Sequence, residues 1–556
     1  MTSKKTRLRV IPLGGLDEIG KNMTVIEYGE DMILVDAGLM FPDADTPGVD
    51  LVLPDFSYVV KRKNKLRGIV ITHGHEDHTG ALPYLLKEVG ERMPVLGTRL
   101  TLGLIGVKLE EHKIMKPKLR EIREGMHVNL GIFGLDFISV NHSIPDAVAL
   151  LIRTPVGNIL HTGDFKFDQT PIDGRATDYA ALGKAGKDGV LLLLSDSTGA
   201  ESVGYTRSEA SVGATLKRII SEAPQRVIVA SFSSHIHRVQ QVCDAAVACG
   251  RKVVVTGRSM VNNTRIAREL GYLHIEDKNI IDAFDAGDLP PEDVVIMSTG
   301  SQGEPLSALA RMANADHRTV SIERGDTVIL AATPVPGNEK AVSRVINRLF
   351  KAGAEVHYRP TADVHVSGHA SAEELKLMLQ MVKPRYFMPV HGETRHLMAH
   401  SRIAQSVGMS ARDIFVLENG AALEITEDGA KLAEHVESGV VFVDGLSVGE
   451  VGQVVLRDRQ LLSQDGIATV VVAIDTQTGK VVGDVEIVTR GLVYGAGADD
   501  LLEEARERVA KALAKTQREH ATDQGVIQRA VREALSQFLW ERVRRRPMII
   551  PIVVEV

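Results

Sequence analysis

The chain has 556 residues, of which 44% are hydrophobic and 25% are charged, and its formal net charge is −7. Its length exceeds the size at which one hydrophobic core stops growing, so about two to four domains are expected. The composition is that of a globular protein without a low-complexity tract. The net charge does not by itself suggest a nucleic-acid-binding protein.

The start of the chain, MTSKKTRLRVIPLGG, passes from basic residues directly into a strand-like run and lacks the apolar core of a signal peptide. The apolar runs further along are too short to span a membrane. Cys243 and Cys249 are six positions apart in a predicted helix, a spacing that fits neither a zinc site nor a disulfide framework. We therefore expect a protein of the reducing cytoplasm.

Short strands are predicted throughout residues 1–203, with one helix around 81–89. Turns of Gly, Asp and Pro separate the strands, and several strands end in side chains that can bind metals. The predicted strands are MILVDAG, RGIVITH, GIFGLDFISV, AVALLIRTP, GNILHTGD and VLLLLSD.

Residues 204–360 alternate between helix and strand, which is typical of a parallel, doubly wound domain. The elements are the helix SEASVGATLKRIISEA, the strand RVIVASF, the helix HRVQQVCDAAVACG and the strands KVVVTG, DVVIMSTG and DTVILAAT. Residues 361–440 then add the helix SAEELKLMLQMV and the strand RYFMPVHG.

Residues 441–465 are predicted to be a linker to a small α/β domain, residues 466–556. That domain has the strands ATVVVAID and VVGDVEIVT around the turn TQTGK, then two helices and a final strand, MIIPIVVEV. One apolar face is predicted for the second helix, formed by Val526, Ile527, Ala530, Val531, Ala534, Leu535, Phe538 and Leu539. Two basic runs, KRKNKLR and ERVRRRP, are interpreted as solvated surface.

The stretch THGHEDHTG, residues 72–80, crowds four metal-binding side chains into one loop: His73, His75, Asp77 and His78. Without cations, side chains of these types at this density would repel or desolvate one another. In an extended loop, His73 and His75 lie on one side, and Asp77 and His78 on the other. One loop can therefore serve both ions of a hydrolytic two-metal centre.

Further ligands must come from other strand ends. His142 in SVNHSIPD, Asp164 in LHTGDF and His391 in MPVHGE each follow an apolar strand. One such histidine alone would be weak evidence for a metal. Together with the crowded loop, their positions after strands indicate a metal-dependent hydrolase.

The motifs THGHEDHTG, NHS and HTGDF, together with Asp36 in ILVDAG, resemble those of the metallo-β-lactamase superfamily. More than 200 residues separate Asp164 from His391, and this segment resembles the β-CASP insertion of nucleases in that superfamily. Three segments of this chain resemble the three motifs of β-CASP nucleases: LLSDSTGA at Asp196, VSGHAS at His369 and PVHGE at His391. Four further segments resemble, in order and spacing, those of the bacterial ribonuclease J family: IPLGGLDEIGKNM, SSHIHRVQQ, TGSQGEP and HVSGHASAEELKLML.

This resemblance implies an α/β fold: a metallo-β-lactamase αββα sandwich with an inserted doubly wound β-CASP domain and a small C-terminal α/β domain. Two metal ions are implied, with zinc as the first choice and manganese as the alternative. The implied ligands are His73, His75 and His142 for one ion, Asp77, His78 and His391 for the other, and Asp164 as the bridge.

The resemblance also implies a catalytic set of Asp36, Asp77, Asp196 and His369. Asp36 and Asp196 would orient histidines, as carboxylates beside metal ligands do. His369 has no metal to bind in this scheme and would contact the scissile phosphate.

The implied activity is hydrolysis of RNA phosphodiester bonds, as a 5′-to-3′ exonuclease and as an endonuclease, in RNA maturation and decay, including rRNA processing and mRNA decay. The implied partners are RNA with a 5′ monophosphate, a second copy of the chain in a homodimer or homotetramer formed through the C-terminal domain, and other RNA-decay proteins. No membrane is expected.

A second polar cluster is predicted beside the metals, from the loops SFSSHIH (231–237) and HVSGH (365–369). Its hydroxyl, imidazole and backbone N–H groups could hold a 5′ phosphate. The members are Ser233, Ser234, His235, His365, Ser367, Gly368 and His369. Alternatively, these serines only cap turns and the next helix. The STGSQGEP loop (298–305) also has two interpretations: its free N–H groups at a helix start could bind phosphate, or it is only a tight turn.

Two other functions stay open at this point. A small-molecule hydrolase, such as a lactamase or thioesterase, could use the same metal loop, although the inserted domain suits a long polymer better. A structural subunit without catalysis is the other, and the complete set of ligands argues against it.

Overall fold

The computed structural model describes residues 7–42, 45–304, 306–335, 337–445, 447–475, 480–492, 498–518 and 523–556. The strands in these residues are β1 (Leu8–Gly14), β2 (Met23–Tyr28), β3 (Asp31–Val35), β4 (Leu51–Pro54), β5 (Leu66–Val70), β6 (Pro94–Gly97), β7 (Lys118–Glu121), β8 (His127–Leu130), β9 (Phe133–Ser139), β10 (Val148–Thr154), β11 (Gly157–His161), β12 (Leu192–Asp196), β13 (Val227–Ala230), β14 (Lys252–Val255), β15 (Ile280–Ile281), β16 (Val294–Ser298), β17 (Thr327–Leu330), β18 (Glu355–His357), β19 (Tyr386–Val390), β20 (Leu423–Thr426), β21 (Gly429–Leu432), β22 (Val440–Asp444), β23 (Ser447–Val448), β24 (Ile467–Ile474), β25 (Val481–Arg490) and β26 (Met548–Glu555).

The α-helices in the same residues are α1 (Ser57–Val60), α2 (Glu76–Thr79), α3 (Leu82–Val89), α4 (Arg99–Glu111), α5 (Tyr179–Asp188), α6 (Ala210–Glu222), α7 (Ile236–Ala248), α8 (Arg258–Glu269), α9 (Ala308–Ala313), α10 (Glu339–Lys351), α11 (Ala372–Val382), α12 (Thr394–Ser406), α13 (Gln453–Asp465), α14 (Ala498–Arg518) and α15 (Gln524–Val543). Within the described ranges, every helix is too short or too polar to cross a bilayer.

Two sheets form a sandwich, with strand orders β21-β20-β1-β2-β3-β5-β6-β7 and β19-β12-β11-β10-β9-β8. Their facing sides are apolar: Val10 and Ile33 of the first sheet share one buried cluster with Leu135 and Leu150 of the second. Burial of each such side chain contributes about 1.5–3 kcal/mol. This core fixes the distance between the two sheets and therefore the position of the strand ends.

Helices cover both outer faces of the sandwich. Leu82 and Leu86 of α3 pack with Ile105 of α4 on the first sheet. Leu375 and Met378 of α11 pack, together with residues of α5 and α12, on the second. The layers are therefore αββα, as expected.

The inserted domain is built on a parallel sheet with strand order β15-β14-β16-β13-β17-β18. Helices α6, α7 and α8 cover one face, where Leu216 and Val239 are buried. Helices α9 and α10 cover the other, where Leu309 and Leu349 are buried. The predicted doubly wound domain is confirmed.

By compactness the chain divides into two units, Met1–Phe41 with Val52–Val441 and Pro42–Leu51 with Phe442–Val556. The second unit contains a sheet of order β25-β24-β26, and α14 and α15 cover one of its faces. Helix α13 lies within the predicted linker, and the predicted domain boundaries stay predictions. The TQTGK turn falls on residues 476–480, of which 476–479 lie outside the described residues.

The apolar face of α15 is narrower than the sequence predicts. Ile527, Val531, Leu535, Phe538 and Leu539 are buried against the sheet. The prediction for Val526 is wrong, because this side chain in the first turn of the helix is 40% exposed. A pattern of apolar residues at three-to-four spacing cannot show where the covering sheet ends.

The strands that carry the predicted ligands end at one edge of the sandwich. In the first sheet β3 and β5 are parallel, and in the second β11, β12 and β19 are parallel. Strand β9 runs in the same direction as β11, because both are antiparallel to β10. The two sets of strand ends meet where His78, after β5, lies 3.2 Å from Asp164, after β11.

Candidate metal centre

Three imidazoles converge at this edge. The Nδ1 atom of His75 lies 3.1 Å from Nε2 of His73 and 3.2 Å from Nε2 of His142. Ligands placed tetrahedrally about 2.0–2.1 Å from a zinc ion are about 3.3 Å from one another. The three nitrogen atoms therefore have the spacing of ligands around one small cation.

The opposite ring nitrogens of these histidines have partners of their own. His142 donates from Nδ1 to the Gly368 carbonyl at 2.8 Å, and Nδ1 of His73 lies 3.0 Å from the Thr72 hydroxyl. The Ser143 hydroxyl lies 3.3 Å from Nε2 of His75. Metal-binding histidines are oriented in this way, by a hydrogen bond on the ring nitrogen that faces away from the ion.

Burial keeps this group uncharged. It holds the pKa values of His73 and His142 well below the ordinary value and lowers the pKa of His75 to about 4. At neutral pH each ring thus has a free lone pair, which metal binding requires. The three side chains form the first donor set.

The second donor set, Asp77, His78, Asp164 and His391, is richer in carboxylates. Asp164 accepts from Nδ1 of His391 at 2.8 Å with Oδ1, and its Oδ2 lies 3.2 Å from Nε2 of His78. Asp77 places Oδ2 3.4 Å from Nε2 of His391, a buried nitrogen atom without a hydrogen-bond partner in the described chain. One potential ligand atom from each residue lies within 4.8 Å of the others.

Charge in this second set is arranged differently. Burial opposes the charged form of His391, but the charge of Asp164 outweighs it and raises the pKa of His391 to about 10. Burial likewise opposes ionisation of Asp164, whose pKa is nevertheless held well below the usual range by His391 and His78. The site therefore keeps its carboxylates ionised, as hard divalent cations require.

Asp164 is placed between the two sets. Its Oδ2 atom is 3.8 Å from Nε2 of His73 and 3.8 Å from Nε2 of His142, in addition to its contacts with His78 and His391. This geometry fits the predicted bridging ligand. The residues present suit two divalent ions, and the mixture of imidazole and carboxylate suits zinc or manganese.

Two strand ends adopt left-handed backbone conformations at the site. Asp36 follows β3 with φ 62°, and His391 follows β19 with φ 53°. Asp36 accepts hydrogen bonds from the Thr72 N–H at 2.8 Å and from the Thr72 hydroxyl, and its Oδ2 lies 2.8 Å from Nδ1 of His78. Non-glycine residues in this region are strained and are concentrated at functional sites.

Asp196 and His369 form the adjoining pair. Nδ1 of His369 lies 2.8 Å from Oδ2 of the buried Asp196. Burial opposes the charged form, but Asp196 raises the pKa of His369 above its ordinary value. With Asp164 and His391, these two residues make a further group of side chains with converging ligand atoms.

Four supporting residues were not predicted from the sequence. Asn22 approaches Nε2 of His78 at 3.1 Å through its amide, and Thr72 and Ser143 contact ring nitrogens as described above. His161 borders a cavity of about 10 Å³ behind Asp36 and Asp164, room for about one water molecule. Their closeness in sequence to predicted motifs could have indicated them. Thr72 and Ser143 adjoin the predicted ligands His73 and His142, His161 begins the motif HTGDF, and Asn22 lies in GLDEIGKNM.

The predicted phosphate-binding residues fall into two groups. Gly368 and His369 adjoin the metal centre through the contacts given above, and the nearby Ser367 hydroxyl accepts from the His369 N–H at 3.0 Å. Within the described ranges, no hydrogen bond joins Ser233 or Ser234 to the centre; Ser233 instead accepts from the amide of Asn263 at 3.2 Å.

His235 and His365 lie against a buried ion pair that the sequence did not reveal. Arg238 donates from Nε to Glu209 at 2.7 Å, and its NH1 donates to the carbonyls of Ala331 and Val364 at 2.9 and 2.6 Å. Burial lowers the pKa of His235 to about 4 and that of His365 to about 3. Nε2 of His235 and Nδ1 of His365 are buried without a hydrogen-bond partner among the described residues.

An αββα sandwich with two donor sets at one edge, and a doubly wound domain inserted between its ligands, defines a metal-dependent hydrolase of the metallo-β-lactamase class. Family models match the chain in the same order: the metallo-beta-lactamase superfamily at 16–197, the ribonuclease J beta-CASP domain at 224–349, a Zn-dependent metallo-hydrolase RNA specificity domain at 353–416, and the ribonuclease J C-terminal domain at 454–556.

Relatives match over the full length. Ribonuclease J2 of Bacillus subtilis is 44% identical, with 100% of both chains covered. Ribonuclease J of Mycolicibacterium smegmatis is 44% identical over 99% of this chain and 97% of its own, and that of Thermus thermophilus is 44% identical over 99% and 95%. The chain belongs to the ribonuclease J family.

One solved structure, a protein of unknown function from Enterococcus faecalis, has a similar fold. It superposes with a TM-score of 0.54 at 15% identity and covers 75% of this chain and 100% of its own. At this identity the likeness concerns the fold alone.

Proposed function

We propose that this chain hydrolyses RNA phosphodiester bonds with two divalent metal ions, one in each donor set. The observation that carries the proposal is the convergence of both sets at an edge beside the 364–369 loop, which connects the inserted domain to the sandwich. When bound, the ions would lower the pKa of water and neutralise phosphate oxygens. Zinc is the first candidate and manganese the second.

The protein's own residues have separate tasks in this proposal. Asp36 holds the His78 ring, and Asp196 holds the His369 ring, each through a 2.8 Å contact to Nδ1. Because Asp196 favours the charged form of His369, Nε2 of that ring can carry a proton toward a phosphate oxygen or the leaving 3′ oxygen. Gly368 fixes His142 through its carbonyl, so one loop serves both the metal and the substrate.

The test is a comparison of three substrates with the same preparation: a labelled single-stranded RNA, a chromogenic lactam and a thioester, each with and without a chelator. We expect metal-dependent cleavage of the RNA alone. Turnover of the lactam or thioester at a comparable kcat/KM, with intact RNA, would favour the small-molecule hydrolase instead.

We expect 5′-to-3′ exonuclease action with a preference for a 5′ monophosphate, alongside endonuclease cleavage. The expectation rests on the side-chain types of Ser234, His235, His365 and Ser367, whose hydroxyl and imidazole groups can hold a phosphate without a basic surface. Of these, the Ser367 hydroxyl accepts a hydrogen bond from the N–H of His369. Ser234→Ala and Ser367→Ala should lower exonuclease rates on monophosphorylated RNA more than endonuclease rates. Matched RNAs that differ only at the 5′ end measure this preference.

The control variant is Ser221→Ala, on the exposed side of α6, where the hydroxyl donates only to the carbonyl of Arg218 among the described contacts. It should leave both rates unchanged. A parent enzyme indifferent to the 5′ group, or an equal loss of both activities in the two variants, would contradict the pocket.

Self-association through the C-terminal domain is supported by an uncovered sheet face. The helices α14 and α15 cover one side of the β25-β24-β26 sheet, while the other side presents apolar residues that are each 39% to 46% exposed: Val482, Val488, Ile550, Ile552 and Val554. In register, Thr469 pairs with Ile550 on one side and with Val488 on the other, so these residues share one face. A second copy of the chain is the proposed cover.

Ile552→Glu is therefore expected to reduce the molar mass in solution to that of a smaller assembly, measured by light scattering, because a carboxylate cannot be buried there without a partner. RNA cleavage by the metal centre should persist. Leu432→Glu, at an equally apolar and 58% exposed position of β21, is the control and should leave the mass unchanged. An unaltered mass for Ile552→Glu would exclude this face as the interface.

The expected cellular role is RNA maturation and decay in the cytoplasm, together with other RNA-decay proteins. The two cysteines, Cys243 and Cys249, are free thiols in the structure, which is consistent with a reducing compartment.

A further inference from the structure

The single tryptophan of the chain, Trp540, lies near the end of α15 and is 39% exposed. Two guanidinium groups lie over its ring, that of Arg546 at 4.5 Å and that of Arg544 at 5.4 Å from the ring centre. Both distances are in the range of cation–π contacts. We call Trp540, Arg544 and Arg546 the tryptophan–arginine patch.

Backbone contacts hold the patch in place. Arg544 ends α15 in a left-handed conformation, with φ 55°, and its N–H donates to the Trp540 carbonyl at 3.2 Å. The N–H of Arg546 donates to Asp465 at 3.0 Å, and the Arg545 side chain donates to the same carboxylate at 3.2 Å. The backbone that carries the indole and the two cations is thus held in place before any ligand arrives, which reduces the entropy that binding must cost.

Among the described residues, no acidic side chain neutralises the charges of the patch. Of the neighbouring arginines, Arg542 pairs with Glu504 and Arg545 with Asp465. The side chains of Arg544 and Arg546 have no acidic partner in the part of the chain that the structure describes. Two uncompensated cations beside an exposed aromatic ring therefore stand out on a chain whose formal net charge is −7.

We infer that the tryptophan–arginine patch binds single-stranded RNA, an inference that rests on the proposed function in taking RNA as the ligand. A base can stack on the exposed part of the indole, and the guanidinium groups can pair with the adjoining phosphates. Every base has a flat face that can stack on the indole, and the phosphates that the guanidinium groups would pair with are the same at every nucleotide. Binding through the patch is therefore expected to tolerate any sequence, and none of the three patch residues belongs to either donor set.

Because Trp540 is the only tryptophan, its fluorescence reports on the patch alone. The experiment titrates the full-length Asp164→Asn variant, which should not consume RNA, with a single-stranded uridine oligomer. We expect saturable quenching of the tryptophan emission. In an anisotropy assay with labelled oligomer, Trp540→Ala in the same background should weaken binding roughly 5- to 100-fold, the range for loss of one stacked base.

Salt dependence identifies the role of the cations. Each phosphate contact on a single strand contributes about 0.7 to the slope of log affinity against log salt, so Arg544→Gln with Arg546→Gln should make the slope shallower by about 1.4. Arg529→Gln with Arg532→Gln is the matched control. It removes the same charge from exposed positions of α15 whose guanidinium groups, among the described contacts, do not lie over the indole ring, and it should change the slope by less.

The outcomes separate the patch from the proposed function. If the parent enzyme cleaves no RNA, the proposed function fails, whatever the fluorescence shows. If it cleaves RNA but the emission does not respond to the oligomer, or if the matched control flattens the slope equally, the patch is not an RNA site. Equal quenching by an acidic polypeptide would assign the patch to a protein partner, and a changed molar mass in Trp540→Ala would assign it to self-association; either result overturns the inference.

Discussion

Asp164→Asn should lower kcat/KM for RNA cleavage by about 10³-fold or more, a larger loss than the roughly 10–100-fold typical when only a supporting hydrogen bond of a metal site is removed. The reason is its central position. Asp164 contacts His391 and His78 in one donor set, and it lies 3.8 Å from His73 in the other. An amide keeps the shape of the side chain but removes the charge that both ions would share.

The measurement combines initial rates with metal content, determined by elemental analysis after dialysis against metal-controlled buffer. His75→Ala, which removes a ligand from the first donor set only, should also abolish cleavage but keep more metal than Asp164→Asn. The fold should survive in both variants, since these residues lie at strand ends and not among the core side chains. Asp188→Asn, which changes a surface carboxylate on α5 whose one ion pair among the described residues is with Lys184, should behave like the parent. Turnover near the parent rate in Asp164→Asn would falsify the bridging assignment.

Arg238→Met should destabilise the inserted domain by about 3–5 kcal/mol, the cost of leaving a buried charge without its partner. The side chain of Arg238 is fully buried. Its removal leaves the Glu209 carboxylate without its counter-ion and two carbonyls, of Ala331 and Val364, without a donor. Because Val364 begins the loop that leads to His369, cleavage activity should fall as well.

The matched control is Arg218→Met on α6. Its pair with Glu222 has a comparable distance of 2.9 Å, but both side chains are more than half exposed, so the loss should be about 1 kcal/mol or less. Chemical unfolding, followed by circular dichroism, compares the two variants. Similar midpoints for both would show that the buried pair contributes no more than a surface pair.

The destabilisation should depend on pH in a definite direction. Although burial opposes its ionisation, Glu209 has a pKa depressed below the ordinary value of 4.5 by the charges of His235 and Arg238. Since His235 is itself neutral above about pH 4, Arg238 is the charge that acts near neutrality. The contribution of the pair is complete above pH 4.5 and is lost as the pH falls toward the folded pKa. The deficit of Arg238→Met should therefore shrink in acid.

Much of the site could be predicted from sequence because its chemistry is locally dense. Four side chains of types that can bind metals lie within six positions, His73 to His78, and they would repel or desolvate one another without cations. The strands before His142, Asp164 and His391 are plain apolar runs. The parallel sheet of the inserted domain was equally predictable, since alternating helix and strand allow few other folds.

The parts that sequence missed depend on contacts between distant residues. Glu209 and Arg238 are 29 positions apart and read as ordinary charged helix residues, yet both are buried. The carbonyl of Gly368 orients His142 across 226 positions. Since every residue has a backbone carbonyl, the sequence cannot show which one makes this contact. Helix α13, which lies within the predicted linker, has Leu456 as its one buried side chain, so it lacks the broad buried face that most packed helices have.

The order of synthesis has a consequence for when the site can exist. Strand β19 lies at the sheet edge beside β12, and it carries His391 into both carboxylate contacts. While the inserted domain is being made, β12 has no partner strand on the side where β19 will pair, and the second donor set lacks the imidazole of His391. At about 5–20 residues per second, roughly 15 to 60 seconds separate the synthesis of His73 from that of His391. A nascent chain therefore cannot complete its nuclease site beside the messenger that encodes it until the whole inserted domain has been translated.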